Sequence, residues 1–353
     1  MLSIVLLGPE VFYVSLIFVA WTSWQLGESL PTAKFLSLAA LLIAFSWIYI
    51  AASPTYFEDY LSYVYWLRDA DSRFGEHIDK GFSLFMILLN SISSGSWIFI
   101  SSVLLIYVFL LTTATKMANG QLLVALLILF PNPRVHEFMF NSTRASLAMC
   151  LLLLGIVLLV NRRVLLALAV SLIALSFHLY VGLGCLLAVA VGYYAPKRIL
   201  VYAFGLSTVI FLSGIYVESI YGIPRDYLGD LILTTKGAVT DEYLFEVMET
   251  GWWGRLSLWL MTSSFTAYLL FAQTDDKIGS RLLSIGVAAN SLALAFSFLL
   301  PIIARIHLLG LMLAALVMAG RHVLNRKDVL LMTVMILLYT VSVLSNQVFI
   351  DNY

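Results

Sequence analysis

Asn141-Ser142-Thr143-Arg144 opens, and Asn161-Arg162-Arg163 closes, the run Ala145-Ser-Leu-Ala-Met-Cys-Leu-Leu-Leu-Leu-Gly-Ile-Val-Leu-Leu-Val160. The whole run, 141–160, is long enough to cross a bilayer as a helix, which takes roughly 17–25 predominantly apolar residues. One arginine stands about a turn inside one end, and a basic pair follows directly at the other. An arginine at such a depth costs roughly 2.5–3.5 kcal/mol on insertion scales, so it usually faces a partner, a cavity or an anionic ligand. A short basic loop after an apolar run marks a cytoplasmic side. Span, direction and a candidate functional charge are therefore all readable from this one stretch.

The rest of the chain repeats the pattern. Of 353 residues, 61% are hydrophobic and 11% charged. A soluble domain of this length needs far more polar surface. Further apolar runs at 9–25, 36–52, 98–116, 179–195, 199–217, 254–273, 279–300, 302–320 and 328–348, with shorter ones at 119–132 and 164–178, predict about twelve transmembrane helices. The fold class is all-α, a polytopic membrane bundle forming a single transmembrane domain over 1–353. The short run 81–93 predicts a helix lying at, or dipping into, the interface. No basic residue precedes Lys34, so no cleavable secretory signal is expected. The short loops at 161–163, 196–198, 274–281 and 321–327 alternate correctly with the spans. With Lys34 and Lys116 they place eleven of the 20 basic residues, but only four of the 20 acids, on the cytoplasmic side. Both termini and two longer segments, 53–97 and 218–253, are then extracytoplasmic. Net charge is zero, which argues against nucleic acid as a partner. Cys150 and Cys185 lie inside apolar runs and are expected to be free thiols.

On the outer side stand the residues that could carry chemistry. Arg144 and Arg305 lie at matched depth, and a guanidinium's fork of donors suits phosphate oxygens. Snorkelling, or pairing with an acid such as Glu137, is the plainer alternative. Arg255, opening its span after Trp252-Trp253-Gly254, is shallower and suits snorkelling better. His178 ends the run Ala-Leu-Ser-Phe at the outer face, where imidazole could act as a base, a phosphate ligand or an interfacial residue. Asp59 could orient a hydroxyl or simply start a helix. Around it Tyr56, Tyr60, Tyr63 and Trp66 recur at helical spacing, as an aromatic belt or a sugar platform. Asn141 opens a glycosylation-type sequon, and Arg225-Asp226 sits in the second outer segment. No metal-ligand spacing and no phosphate loop appear, so neither a metal nor a cofactor is implied.

Taken in order, Asp59-Tyr60…Tyr63, Asp79-Lys80-Gly81-Phe82, Phe140-Asn141-Ser142-Thr143-Arg144, Phe177-His178 and Ala304-Arg305-Ile306 resemble the EpsG/Wzy-type polysaccharide polymerase family. That family carries Asp/Glu-Pro-Gly-Phe, Asn-x-x-Arg-Gln, Phe-His-x-Ser-Ala and Ala-Arg-Phe in the same order. Lys80, Ala145 and Leu179-Tyr180-Val181 depart from it, while the acid, both arginines and the histidine are kept. The resemblance implies an extracytoplasmic polymerase of lipid-linked oligosaccharide repeat units in the bacterial inner membrane, with an architecture related to GT-C-like membrane glycosyltransferases. Its partners would be undecaprenyl-diphosphate-linked donor and acceptor glycans and membrane lipid, with room for a chain-length regulator. Catalysis would fall to Arg144, Arg305, His178 and Asp59, and glycan binding to Tyr60, Tyr63, Asn141, Arg225, Asp226 and Arg255. Two alternatives stay open. A glycosyltransferase adding one sugar from a polyprenyl monophosphate would use Glu58-Asp59 as an acidic pair, and a lipid-linked glycan flippase would need charges on the inner span halves.

Overall fold

The computed structural model describes residues 9–26, most of 32–43, 58–70, 79–130, parts of 132–139, 142–221, 265, 277–296, 305–320 and scattered positions from 326 to 337. Among them every regular element is a helix. In chain order these are α1 (Pro9–Leu26), α2 (Glu58–Arg68), α3 (Lys80–Ile92), α4 (Ser96–Met117), α5 (Leu122–Leu129) and α6 (Thr143–Val160). They are followed by α7 (Val164–Phe177), α8 (Leu179–Tyr194), α9 (Lys197–Tyr221), α10 (Lys277–Phe296) and α11 (His307–Ala319). Among the described residues three stretches, Trp97–Met117, Thr143–Val160 and Lys277–Phe296, are helices long and apolar enough to cross a membrane. The chain groups into two compact units, one of 1–179 with 315–353 and one of 180–314.

In the first unit α6 is the central helix: all its residues except Arg144, Leu151 and Leu159 are buried. It packs along α7 and α4. The α6–α7 turn is closed by Arg162 in the left-handed region (φ 63°), and Gly155 admits α7, since a Cβ there would stand 3.0 Å from Ser171 Oγ. α7 shows the opposite pattern. Only Ala167 and Ala174 are buried, and Leu165 is 84% exposed beside Leu166, Leu168, Leu172 and Ile173. An apolar face turned outward is what lipid contact requires, because burial among other side chains does not explain it.

Two runs form helices shorter than a bilayer is thick. The segment 119–132 is helical only over the eight residues of α5, about 12 Å of rise. Asn119 turns the chain at φ 56°, and Val124–Leu129 are all buried, so this run is apolar because protein surrounds it. α3 has 13 residues, about 20 Å, short of a hydrocarbon core of about 30 Å. Its Phe82 and the first turn of α4, through Phe99, both meet the Tyr63 ring, at 5.6 and 5.5 Å. Both helices therefore begin on one side of the unit, as a non-crossing helix requires. Leu84, Leu88 and Ile92 form an exposed apolar stripe along α3, opposite the buried Phe82, Met86 and Leu89.

In the second unit, α9 packs on α10 around Leu200, Val287 and Ala288. Glycines bring its helices close. A Cβ at Gly192 would lie 2.7 Å from Ile285 N, and one at Gly310 would lie 2.7 Å from Asn290 Cγ. Small residues at contacts are how helices associate where lipid removes the hydrophobic drive between them. Cys150 and Cys185 are both free and buried.

Candidate functional site

The N-terminal end of α6 gathers the charges of the first unit. Arg144 is the second residue of that helix, and its Nη1 donates to Asp79 Oδ2 at 2.8 Å. The side chains are 32% and 12% exposed, so the pair is half withdrawn from water. Withdrawing ions this far is costly, and it is offset only where mutual attraction is joined by further hydrogen bonds. Those are present: the second carboxylate oxygen, Oδ1, accepts from the backbone N–H of Leu179 at 3.3 Å, and the Arg144 guanidinium stacks over Trp66 at 5.2 Å, a favourable cation–π geometry.

Local sequence explains how these groups meet. Asp79 occupies the position before α3, where an aspartate ordinarily accepts from its own helix. It makes no such side-chain cap, and its carboxylate reaches across to α6 and to Leu179 instead. The reach depends on Gly81. A Cβ there would stand 2.8 Å from Ser176 Cβ and 3.0 Å from the Ser176 carbonyl carbon, so only glycine lets the start of α3 press against the end of α7. α7 ends at Phe177, His178 is extended (φ −158°, ψ 102°), and α8 resumes at Leu179. The break therefore exposes the Leu179 N–H, an orphan donor of a new helix start, at the place where Asp79 takes it. Beneath lies an aromatic floor: Phe82 packs edge-on against Trp66 at 5.3 Å and against Phe177 at 6.1 Å, and Tyr63 joins Trp66 at 6.5 Å.

Several expected residues fall here and others do not. Arg144 and His178 come to one end of the first unit, linked through Asp79 and the Leu179 backbone; His178 is half-buried. Among the described residues Arg144 pairs with Asp79, and Glu137 lies outside them. Tyr63 and Trp66 are each only 5% exposed. Their rings pack the floor of the site, so they offer neither an interfacial belt nor an open stacking surface. Asp59 and Tyr60 lie on α2. Arg305 belongs to the second unit and stands in the turn just before α11, half-buried, ahead of the helix rather than a turn inside it. Asn141, Arg225, Asp226 and Arg255 lie outside the described residues, as does the outer segment beyond Tyr221. Among the described residues no cluster of three His, Cys, Asp or Glu is assembled.

Asp79 is the residue that sequence reading quoted without giving it a task. Its signal was present: an acid at a helix start, with a glycine two residues on that has no turn to make. An arginine at a helix N-terminus, held by a carboxylate and an indole, is an arrangement suited to an anionic group, since the helix end adds its own partial positive charge. The EpsG family pattern matches residues 36–352. The chain belongs to the EpsG family. Neither a curated protein nor a solved structure gives a match. Family membership supports a polysaccharide-polymerase role of glycosyltransferase type in the membrane, and the matched range includes the whole Asp79–Arg144–His178 end of the first unit.

Proposed function

We propose that this EpsG-family chain joins undecaprenyl-diphosphate-linked oligosaccharide repeat units on the outer face of the bacterial inner membrane. Its scaffold is a single domain of about twelve transmembrane helices with GT-C-like architecture. The growing chain on its lipid diphosphate is the donor, and a hydroxyl of the incoming lipid-linked unit is the acceptor. The hydroxyl oxygen bonds to the donor's anomeric carbon as the bond from that carbon to the diphosphate oxygen breaks. The electron pair leaves on the diphosphate, and the hydroxyl proton passes to His178, with Asp59 as the competing base. Arg144 and Arg305 stabilise the charge gained by the leaving group, the contribution that is usually largest in such reactions.

One observation carries the reading: Arg144 is held half-buried at a helix N-terminus by Asp79 and Trp66. A lipid diphosphate keeps its tail in the bilayer and its charge at the boundary, where such a guanidinium would meet it. Asp79 partly cancels the attraction, and in exchange the fork has a defined direction before the ligand arrives, which is what preorganisation demands. The test uses purified protein and a synthetic undecaprenyl-diphosphate-linked repeat unit. Wild type should give a ladder of products, and Arg144→Ala or Arg305→Ala should slow it by about 10²–10³-fold. Arg144→Lys should recover part of that, because an ammonium keeps the charge without the fork. Undiminished laddering in both alanine variants overturns the arginine role. A chelator-sensitive shift of one sugar, or transport in proteoliposomes without bond formation, overturns the polymerase.

A further inference from the structure

We infer that Asp79 is a positioning residue that couples the charge-stabilising arginine to the histidine across the break between α7 and α8. The inference rests on the polymerase reading above and assigns to that site the member that sets its geometry. Three observations converge on it. The two carboxylate oxygens are divided between two jobs, Oδ2 taking Arg144 Nη1 at 2.8 Å and Oδ1 taking the Leu179 N–H at 3.3 Å. Leu179 directly follows His178, so the second contact anchors the backbone that carries the imidazole. The carboxylate also forgoes the cap of its own helix, a contact that ordinarily stabilises a helix start, so its orientation is not the one that best stabilises α3 alone. Gly81 keeps this geometry by allowing contact with Ser176, two residues ahead of His178.

In mechanistic terms, Asp79 touches neither the sugar nor the diphosphate. It fixes the guanidinium fork relative to His178, so that the group receiving the leaving-group charge and the group receiving the hydroxyl proton keep one spacing. No proton or bond changes hands at Asp79 itself.

Asp79→Asn separates this from a general structural role. The amide keeps the shape and can still accept from the Leu179 N–H, but its charge is gone and one of its ends now meets Arg144 as donor against donor. With the synthetic lipid-linked repeat unit, Asp79→Asn should lower kcat by about 10²-fold, as a misplacement of about 1 Å does, with the acceptor KM little changed. Asp79→Glu, which keeps the charge one methylene further out, should recover at least a tenth of the wild-type rate. The deciding measurement is a double-mutant cycle, because residues acting as a unit are not additive. In an Arg144→Ala background, Asp79→Asn should cost less than about 3-fold. A loss that multiplies in full on that background, or that Asp79→Glu does not relieve, means Asp79 only supports the fold and overturns the inference. A fully active Asp79→Asn overturns it as well and leaves the polymerase reading standing. Wild-type protein that forms no ladder from the same substrate removes the polymerase reading, and the inference falls with it.

Discussion

The two ends of α6 are built by opposite means. At one end, Arg144, Asp79 and the Leu179 N–H are drawn together over Trp66. At the other, about 27 Å away along an 18-residue helix, backbone and side-chain amide groups tie the turns together, although Lys116, Arg162 and Arg163 stand there too. Asn161 Nδ2 donates to Met117 O at 3.3 Å and to Val157 O at 2.8 Å. The Gln121 N–H donates to Ala319 O at 2.8 Å, and Gly120 packs against Thr115 and Ala319. Amide caps of this kind satisfy helix carbonyls at modest cost, and no desolvated ion is involved. A bundle can therefore be pinned through amide and backbone hydrogen bonds, and this one does so where only pinning is needed. The ion pair at the other end is the dearer solution, and stability alone does not call for it.

The contrast breaks most visibly at Gly81. Gly81→Ala pushes α3 off the end of α7, because the new methyl would meet Ser176 side-chain and backbone atoms that have little room to give. Asp79 moves with α3, and Arg144 and Leu179 lose their common partner. The expected result is a fall in polymerisation rate of about 10²-fold at nearly unchanged detergent-solubilised yield. A rate within a few-fold of wild type would mean that the close approach does not govern the site.

That dependence was only partly visible in the sequence. Composition alone identified a helical membrane protein, since 61% hydrophobic residues leave too little polar surface for anything else. Arg144 stood out because charge in an apolar run is rare, and α3 was recognisable because its run is too short to cross. What stayed hidden is the environment of each apolar residue. Leu127, wholly buried in α5, and Leu165, 84% exposed on α7, look alike in a hydropathy window, so nothing in 119–132 tells protein surroundings from lipid. Tyr63 and Trp66 read as surface aromatics for the same reason, while packing against Phe82 buries them. The Asp79–Arg144 pair spans 65 positions, and no local pattern selects that acid over Asp59, Glu137 or any other on the same side.

At the Asn161 end, the effect should appear in stability and not in rate. Asn161→Ala removes both amide donors and leaves the Met117 and Val157 carbonyls with fewer partners. A loss of about 1 kcal/mol is expected, read as a lower Tm in detergent. The kcat of the folded fraction should be unchanged. A drop in kcat comparable to that of Gly81→Ala would erase the distinction between the two ends.

The smallest expected effect lies at Asn119, which turns the chain between α4 and α5 with φ at 56°. Residues other than glycine pay for that region, at roughly 1–2 kcal/mol in general, and asparagine is among the few that enter it readily. Asn119→Gly should therefore leave Tm and rate where they are, while Asn119→Ala should lower Tm slightly and leave the rate alone. The pair of variants isolates backbone preference, because the Asn119 N–H bond to Lys116 O at 3.1 Å survives both. If Asn119→Ala slowed polymerisation while Asn119→Gly did not, a strain imposed at the Asn161 end would have reached the ion pair through α4 or α6. The two ends would then be one mechanical element, and the placing of the ion pair at one of them would say nothing about where the chemistry resides.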